Sequence, residues 1–367
     1  MKIIPFFLLV LLFSCTQKRD MQLSNLKIEL GSVLESPTTD KLFADVRYTK
    51  LESQADILLG DDLYFETRED KLYILDRRHQ KSLLVFSNNG KFLSKVGKVG
   101  NGPEEYTNAI DFIIRNDTVD ILSSRGDDVT IYSYLLKGKF ITKKELKHQA
   151  YSFQLIDDKY YAVSTNYNKM LYDHQVYLLD KNGNEVKKLL PNNTEINMPI
   201  GENCFSIFKN QVYYFEAFNN KVYFFENEEL KPIYELDFGK YNIPKEFFHT
   251  DLMKGFETIN KQGFSLIKNV FVNTDHIIFE VTKQKEGEPG SLYVITYNKK
   301  TEEIQSITLD EDNYIFRYPI GLNDKNEMMY LVFPMGDINA DFERFGLKPN
   351  ISDFNESDNP IVVYCKL

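Results

Sequence analysis

The chain has 367 residues, of which 43% are hydrophobic and 27% charged, with a formal net charge of −10 at pH 7. Its length and balance describe a globular protein of one large or two ordinary domains. A chain this acidic is repelled by phosphate backbones, so nucleic acid is excluded as an expected partner, and no low-complexity linker divides the sequence.

At the N-terminus Lys2 precedes the apolar run Ile3–Phe13, and Ser14-Cys15 follows. That run is too short to span a bilayer core of about 30 Å, which takes roughly 20 apolar residues, and it reads as a cleaved export signal over residues 1–14. Leu12-Phe13-Ser14-Cys15 resembles the lipobox of bacterial lipoproteins, which implies a lipid on Cys15 as the first mature residue. Residues 15–25 are then the lipidated cysteine and a polar tether, opening with Thr16-Gln17-Lys18-Arg19-Asp20. The same resemblance implies the outer membrane, because Thr16 is not the aspartate that signals inner-membrane retention; periplasmic and surface-facing placements both stay open. Cys204 and Cys365 are far apart, lack metal or haem spacing, and sit among apolar residues, so two buried strand thiols are expected.

From residue 26 onward the sequence predicts an all-β chain: short runs rich in Val, Ile, Tyr and Phe, bounded by Asn, Asp, Gly and Lys turns. The clearest unit is Asp62–Glu66, Lys71–Asp76, Ser82–Ser87, the turn Asn88-Asn89-Gly90, and Lys91–Gly97, a four-stranded antiparallel meander. Its second strand recurs at Val119–Ser123, Tyr160–Ser164, Val212–Glu216, His276–Glu280 and Met328–Val332. Its third recurs at Val129–Tyr132, Gln175–Asp180, Lys221–Phe225, Ser291–Ile295 and Ile361–Tyr364. Six copies predict a six-bladed β-propeller over residues 26–367. The sixth copy ends without an outer strand, and an open edge invites aggregation. Phe43–Leu51 has a strand's composition and is expected to complete the last blade and close the ring. Pro232 falls in the predicted outermost strand of blade 4, where a missing N–H is tolerable.

Ser82–Tyr106, with Gly100-Asn101-Gly102-Pro103-Glu104-Glu105-Tyr106 at its end, resembles an NHL-type repeat and is similar to six-bladed propeller lipoproteins grouped with TolB-like proteins. Glu104 stands where that motif carries glycine. The loop joins two strands with no helix to follow, so it reads as a tight crossing between blades rather than a phosphate cradle.

In a four-stranded blade, the loops from second to third strand and from blade to blade open on one face. The insertions fall mainly there: Arg77–Gln80, Gly97–Tyr106, Ser124–Asp127, Thr165–His174, Gly239–Gly263, Lys283–Gly290 and Pro334–Pro360. The opposite hairpins, such as Ser87–Gly90 and Lys181–Asn184, are short. Long loops on a rigid scaffold commonly carry function, so the elaborated face is the expected binding face. Within one insertion, Phe247, Phe248, Leu252, Met253, Phe256 and Ile259 approximate one side of a helix between Pro244 and Gly263.

Catalytic motifs are absent and the five histidines are scattered. The sequence therefore points to a membrane-anchored envelope scaffold that binds a protein, peptide or glycan, with Arg77, Arg78, His79, Tyr106, Arg125 and Tyr167 as contacts, and with no cofactor or metal. The alternative is a metal-dependent, lactonase-like hydrolase or lyase using Glu66, Asp111 and Asn269 at the central channel.

Overall fold

The structure is a computed structural model that describes residues 23–30, 43, 45–198, 201–310, 316, 318–334, 338–344 and 355–367. Cys15, the export signal and residues 15–22 of the expected tether lie outside these residues.

Two strands precede the first repeat, β1 (Ser24–Lys27) and β2 (Asp45–Lys50). Blade 1 comprises β3 (Leu63–Arg68), β4 (Lys71–Asp76), β5 (Ser82–Ser87) and β6 (Phe92–Val96). Blade 2 follows as β7 (Ala109–Arg115), β8 (Thr118–Arg125), β9 (Asp128–Leu135) and β10 (Phe140–Leu146). Blade 3 holds β11 (Ser152–Ile156), β12 (Tyr160–Ser164), β13 (His174–Leu179) and β14 (Glu185–Pro191). Blade 4 holds β15 (Phe205–Phe208), β16 (Gln211–Glu216), β17 (Asn219–Glu226) and β18 (Glu229–Asp237). The helix α1 (Leu252–Gln262) leads into blade 5, made of β19 (Phe264–Val272), β20 (His276–Gln284), β21 (Ser291–Asn298) and β22 (Ile304–Asp310). Blade 6 has β23 (Tyr318–Leu322) and β24 (Glu327–Val332), then helix α2 (Ile338–Arg344), then β25 (Ile361–Lys366). Every blade is an antiparallel meander running outward from the channel, as the repeats predicted.

The second and third strands of each blade read as unbroken apolar runs because both their faces are covered. Six apolar clusters fill the six blade interfaces. One, for example, joins Tyr73, Leu75 and Val85 of blade 1 to Phe112, Val119 and Ile121 of blade 2, and another joins Ile74 and Phe86 to Met329, Leu331 and Val362 across the closure.

The ring closes as predicted: β2 pairs antiparallel with β25, from Asp45 opposite Lys366 to Lys50 opposite Ile361. Arg47 of β2 reaches over the ring of Tyr364, 3.6 Å from its centroid, to donate two 2.8 Å hydrogen bonds to both carboxylate oxygens of Glu327 on β24. One guanidinium thus staples three strands of the closing blade. Gly90, in the blade 1 turn, supports the same junction. Its φ is +82°, its carbonyl accepts the Glu52 N–H at 2.8 Å, and a Cβ there would lie 1.7 Å from the Lys50 carbonyl oxygen.

Helix α2 was not expected, and two further features depart from the expected layout. Strand β1 starts at Ser24, inside the segment expected to be tether, and adds a fifth, parallel strand to β18. The edge of blade 4 is therefore β1, and Pro232 is tolerated because β1 pairs only with Tyr234–Asp237. The predicted helix is a 3₁₀ turn, Lys245–His249, followed by α1, capped by the Asp251 side chain and ended by Gly263 at φ +87°. It packs Phe247, Phe248, Phe256 and Ile259 over Tyr167, Ile196, Met198 and Leu266 of blades 3 to 5. Met253, counted on the apolar side, instead points outward and is 75% exposed.

Candidate functional site

The meander geometry gives the ring two unlike ends. Turns joining first to second and third to fourth strands form a hairpin face. The remaining connections, with α1 among them, form a loop face. Inner strands of all six blades line a central channel with a cavity of about 900 Å³ that includes Glu66, Arg68, Gln154, Asn203, Ser206 and Asn269 beside Ile113, Phe271 and Ile320. On the loop face, a separate cleft of about 480 Å³ lies among the connections of blades 1, 2 and 3. Its walls carry Asp62, Arg77, Arg78, Asn108, Ser124, Asp127, Gln149 and Tyr151 over a floor of Ile110, Val129 and Ala150.

A line of polar contacts separates the two cavities. Arg77 faces the cleft and donates to Asp62 Oδ1 at 2.8 Å through Nε and to Asn203 Oδ1 at 3.1 Å through Nη1. Asn203 lines the channel and donates to Asp111 Oδ1 at 2.8 Å. The Ser152 hydroxyl and the Phe153 N–H each donate to Asp111 Oδ2 at 2.9 Å, and the Phe112 N–H donates to Oδ1. One buried carboxylate thus ties blade 2 to blade 3 and to the segment leading into blade 4. Burial outweighs these donors and raises Asp111 to about 6. Buried carboxylates persist where such donors meet them.

The expected contact residues divide sharply. Arg78, His79 and Arg125 are exposed on the loop face. Arg78 lines the cleft and makes one long pair, 3.3 Å, to Asp62, whereas Arg125 flanks the cleft between Ser124 and Gly126. Arg77 also lines it, but its guanidinium is engaged with Asp62 and Asn203. Tyr106 and Tyr167 correct the sequence reading, since they are 0% and 3% exposed. Tyr106 lies under Gly97, where a Cβ would come within 2.6 Å of its ring, and donates to the Val96 carbonyl at 3.1 Å. Tyr167 packs beneath α1 against Phe248. Both are large aromatics in loops, and loop position alone does not distinguish a contact from a plug.

The glycine-rich crossing is closed on itself. Its Gly102 N–H is taken by Glu105 Oε2 at 3.0 Å, Glu105 pairs with Lys98 at 2.5 Å, and Tyr134 donates to the Glu104 carbonyl at 2.7 Å. These bonds use the donors that an anion would need, which fits a crossing between β6 and β7.

The channel trio does not assemble as a ligand set. Both Asp111 oxygens are occupied, and Asn269 donates its amide to Glu280. Glu66 faces the channel from β3, raised by burial to about 8 with Arg68 opposing and Asp111 adding. Among the described residues, no group of three His, Cys, Asp or Glu side chains is placed to hold a metal.

Glu216 and Glu280 are buried acids that the sequence reading did not single out. Glu216 is 1% exposed, and burial raises it to about 7. The Tyr167 and Tyr214 hydroxyls face it, although neither carboxylate oxygen meets full hydrogen-bond geometry. Glu280 is likewise raised to about 7 by burial, which the Asn269 amide partly offsets. Glu216 ends the apolar strand β16, whereas Glu280 sits in the middle of β20 between Phe279 and Val281, and a charge within or at the end of such an apolar run was the available signal.

Solved structures resemble this ring. A protein from Bacteroides fragilis NCTC 9343 described as a candidate exported protein superposes with a TM-score of 0.74 at 15% identity, over 94% of this chain and 99% of that one. A member of the DUF4221 family from Bacteroides vulgatus ATCC 8482 does so with a TM-score of 0.53 at 12% identity, over 88% of this chain and 98% of that one. At such identities the likeness shows the propeller fold alone. No curated protein matches the chain. The model of the DUF4934 family, described as a domain of unknown function, matches residues 27–366, nearly the whole propeller, and this chain belongs to that family.

Proposed function

We propose that this protein is a lipid-anchored binding protein of the bacterial cell envelope, a relative of the NHL and TolB-like propellers, that grips a protein, peptide or glycan with its loop face. The observation that carries this reading is the cleft among blades 1, 2 and 3. There guanidinium, carboxylate, amide and hydroxyl groups from three blades converge over an apolar floor, a composition suited to a polar ligand with some apolar surface. Arg78 and Arg125 supply the binding contacts, because both are exposed and the Arg78 guanidinium is held only by one long pair to Asp62 among the described residues. Arg77 holds the wall of the cleft. Cys15 carries the lipid in the outer membrane, an assignment supported by the Leu12–Cys15 motif and by the exported description of a protein with this fold.

The test is capture from solubilised envelopes with the lipidated protein as bait, wild type against Arg78→Ala/Arg125→Ala. Loss of a stoichiometric partner, at an unchanged melting temperature, supports the cleft. Equal capture by both proteins removes it. Glu66→Gln leaves capture intact on this reading, whereas a channel enzyme would lose activity on the same change.

A further inference from the structure

The first strand of every blade runs from the loop face to the hairpin face, so its last residues wall the channel near the hairpin face. Glu66 on β3, Gln154 on β11 and Ser206 on β15 each stand two residues before the end of their strand. Ile113, Val270 and Ile320 hold the same position on β7, β19 and β23. All of them line the channel cavity, so one level of its wall carries polar side chains from blades 1, 3 and 4 and apolar ones from blades 2, 5 and 6. The exposed turn residues Lys159 and Lys209 also line the cavity, which places its mouth on the hairpin face. Toward the loop face, the contacts of Asn203 with Arg77 and Asp111 lie between the cavity and the cleft.

This wall offers hydrogen-bond donors that the fold does not use. Gln154 is only 5% exposed; its Oε1 accepts the Leu155 N–H at 2.7 Å, whereas its amide N–H groups meet no acceptor among the described residues. Glu66 makes no hydrogen bond among them, and burial keeps its carboxyl protonated at neutral pH, so it presents an O–H and does not repel an anion. Arg68 stands two residues, roughly 7 Å, nearer the mouth. It donates one N–H to the Ile114 carbonyl at 2.7 Å and forms no ion pair among the described residues. Unused buried donors are costly unless solvent or a ligand meets them, and a guanidinium with open N–H groups suits an oxyanion. We propose that the channel is a second ligand site, independent of the loop-face cleft, that takes a small hydroxylated oxyanion, a sugar carboxylate or a sugar phosphate, from the hairpin face. Arg68 meets the anionic group, Glu66, Gln154 and Ser206 meet hydroxyls, and Val270 and Ile320 cover the apolar C–H face of the sugar ring.

The test is calorimetric titration of the protein purified from envelopes in detergent, at pH 7, with glucuronate, glucose 6-phosphate and glucose. Saturable, equimolar binding of at least one anion, with glucose weaker, is expected, and the anion that binds distinguishes carboxylate from phosphate. Arg68→Gln is expected to weaken that binding about tenfold or more, while Lys137→Gln, the same charge change outside the channel, leaves it unchanged. Ser206→Val takes the place of Arg68→Gln should the latter fold poorly. The charged and titratable groups facing Glu66 are Arg68 and Tyr64 on its own strand, Tyr73 on β4 and Asp111 on β7. Asp111, at about 6, is already ionised at pH 7, and burial raises both tyrosines, so among these Glu66 alone changes charge between pH 7 and pH 9. Wild type therefore binds the anion more weakly at pH 9, and Glu66→Gln binds it alike at both. Failure of both anions to bind, glucose binding as tightly as they do, or equal affinity in wild type and the folded channel variant overturns the proposal.

Discussion

Asp111 shows how one buried carboxylate ties neighbouring blades together. Removing it leaves the Ser152 hydroxyl, the Phe153 N–H and the Asn203 amide without their acceptor, and an orphaned buried donor costs about 1–3 kcal/mol. Asp111→Ala is therefore expected to lower stability by about 3 kcal/mol or more in urea titration, and a loss below about 1 kcal/mol would remove its bridging role. Glu216 and Glu280 set a pH dependence. Burial raises each to about 7 from the ordinary 4.5, so the folded state holds the proton more tightly than the unfolded chain. Their contribution is full below the ordinary carboxylate value and is lost as pH rises through about 7. His148, lowered by burial, acts in the opposite sense near neutrality and is untouched by changes at the two acids. Glu216→Gln and Glu280→Gln should melt higher than wild type at pH 8, with the advantage fading by pH 5. Parallel melting profiles for wild type and variants would contradict this account.

The strands divide into those the sequence revealed and those it concealed. Second and third strands were readable because burial on both faces leaves long apolar runs, and β2 was readable because an incomplete last repeat demanded a partner. Strand β1 was concealed. Its four residues, Ser24-Asn25-Leu26-Lys27, carry one buried side chain, Leu26, and parallel pairing to an outer strand leaves no turn signature. Helix α2 was missed for a similar reason, since Ile338 and Phe342 are the only side chains of its described residues that join the core around Phe43. The cleft was half readable: its arginines stood out in loops, whereas Asn108, Gln149 and Tyr151 come together only through the ring. Burying a leucine contributes about 2 kcal/mol, so Leu26→Asp should release β1 while the ring persists. Hydrogen exchange would then quicken at Tyr234–Asp237 and leave β24 and β25 protected. Faster exchange throughout the closing blade would mean that β1 is required for closure.

As a whole the molecule is a rigid ring with an asymmetric pair of faces. Its six interfaces are apolar and its closure is stapled by Arg47, so the connections on one end can vary without loosening the scaffold. The fold was readable almost entirely from repetition, whereas the ligand was not, because a propeller of this kind supports many unrelated activities. The account rests on the loop face being the face that binds. Photo-crosslinking amino acids placed in envelope-resident protein at Arg125 and Met170 on that face, and at Lys137 and Asn182 on the hairpin face, test this directly. The account predicts a discrete crosslinked partner from the Arg125 position and none from Lys137 or Asn182. A partner crosslinked only from the hairpin-face positions would contradict it.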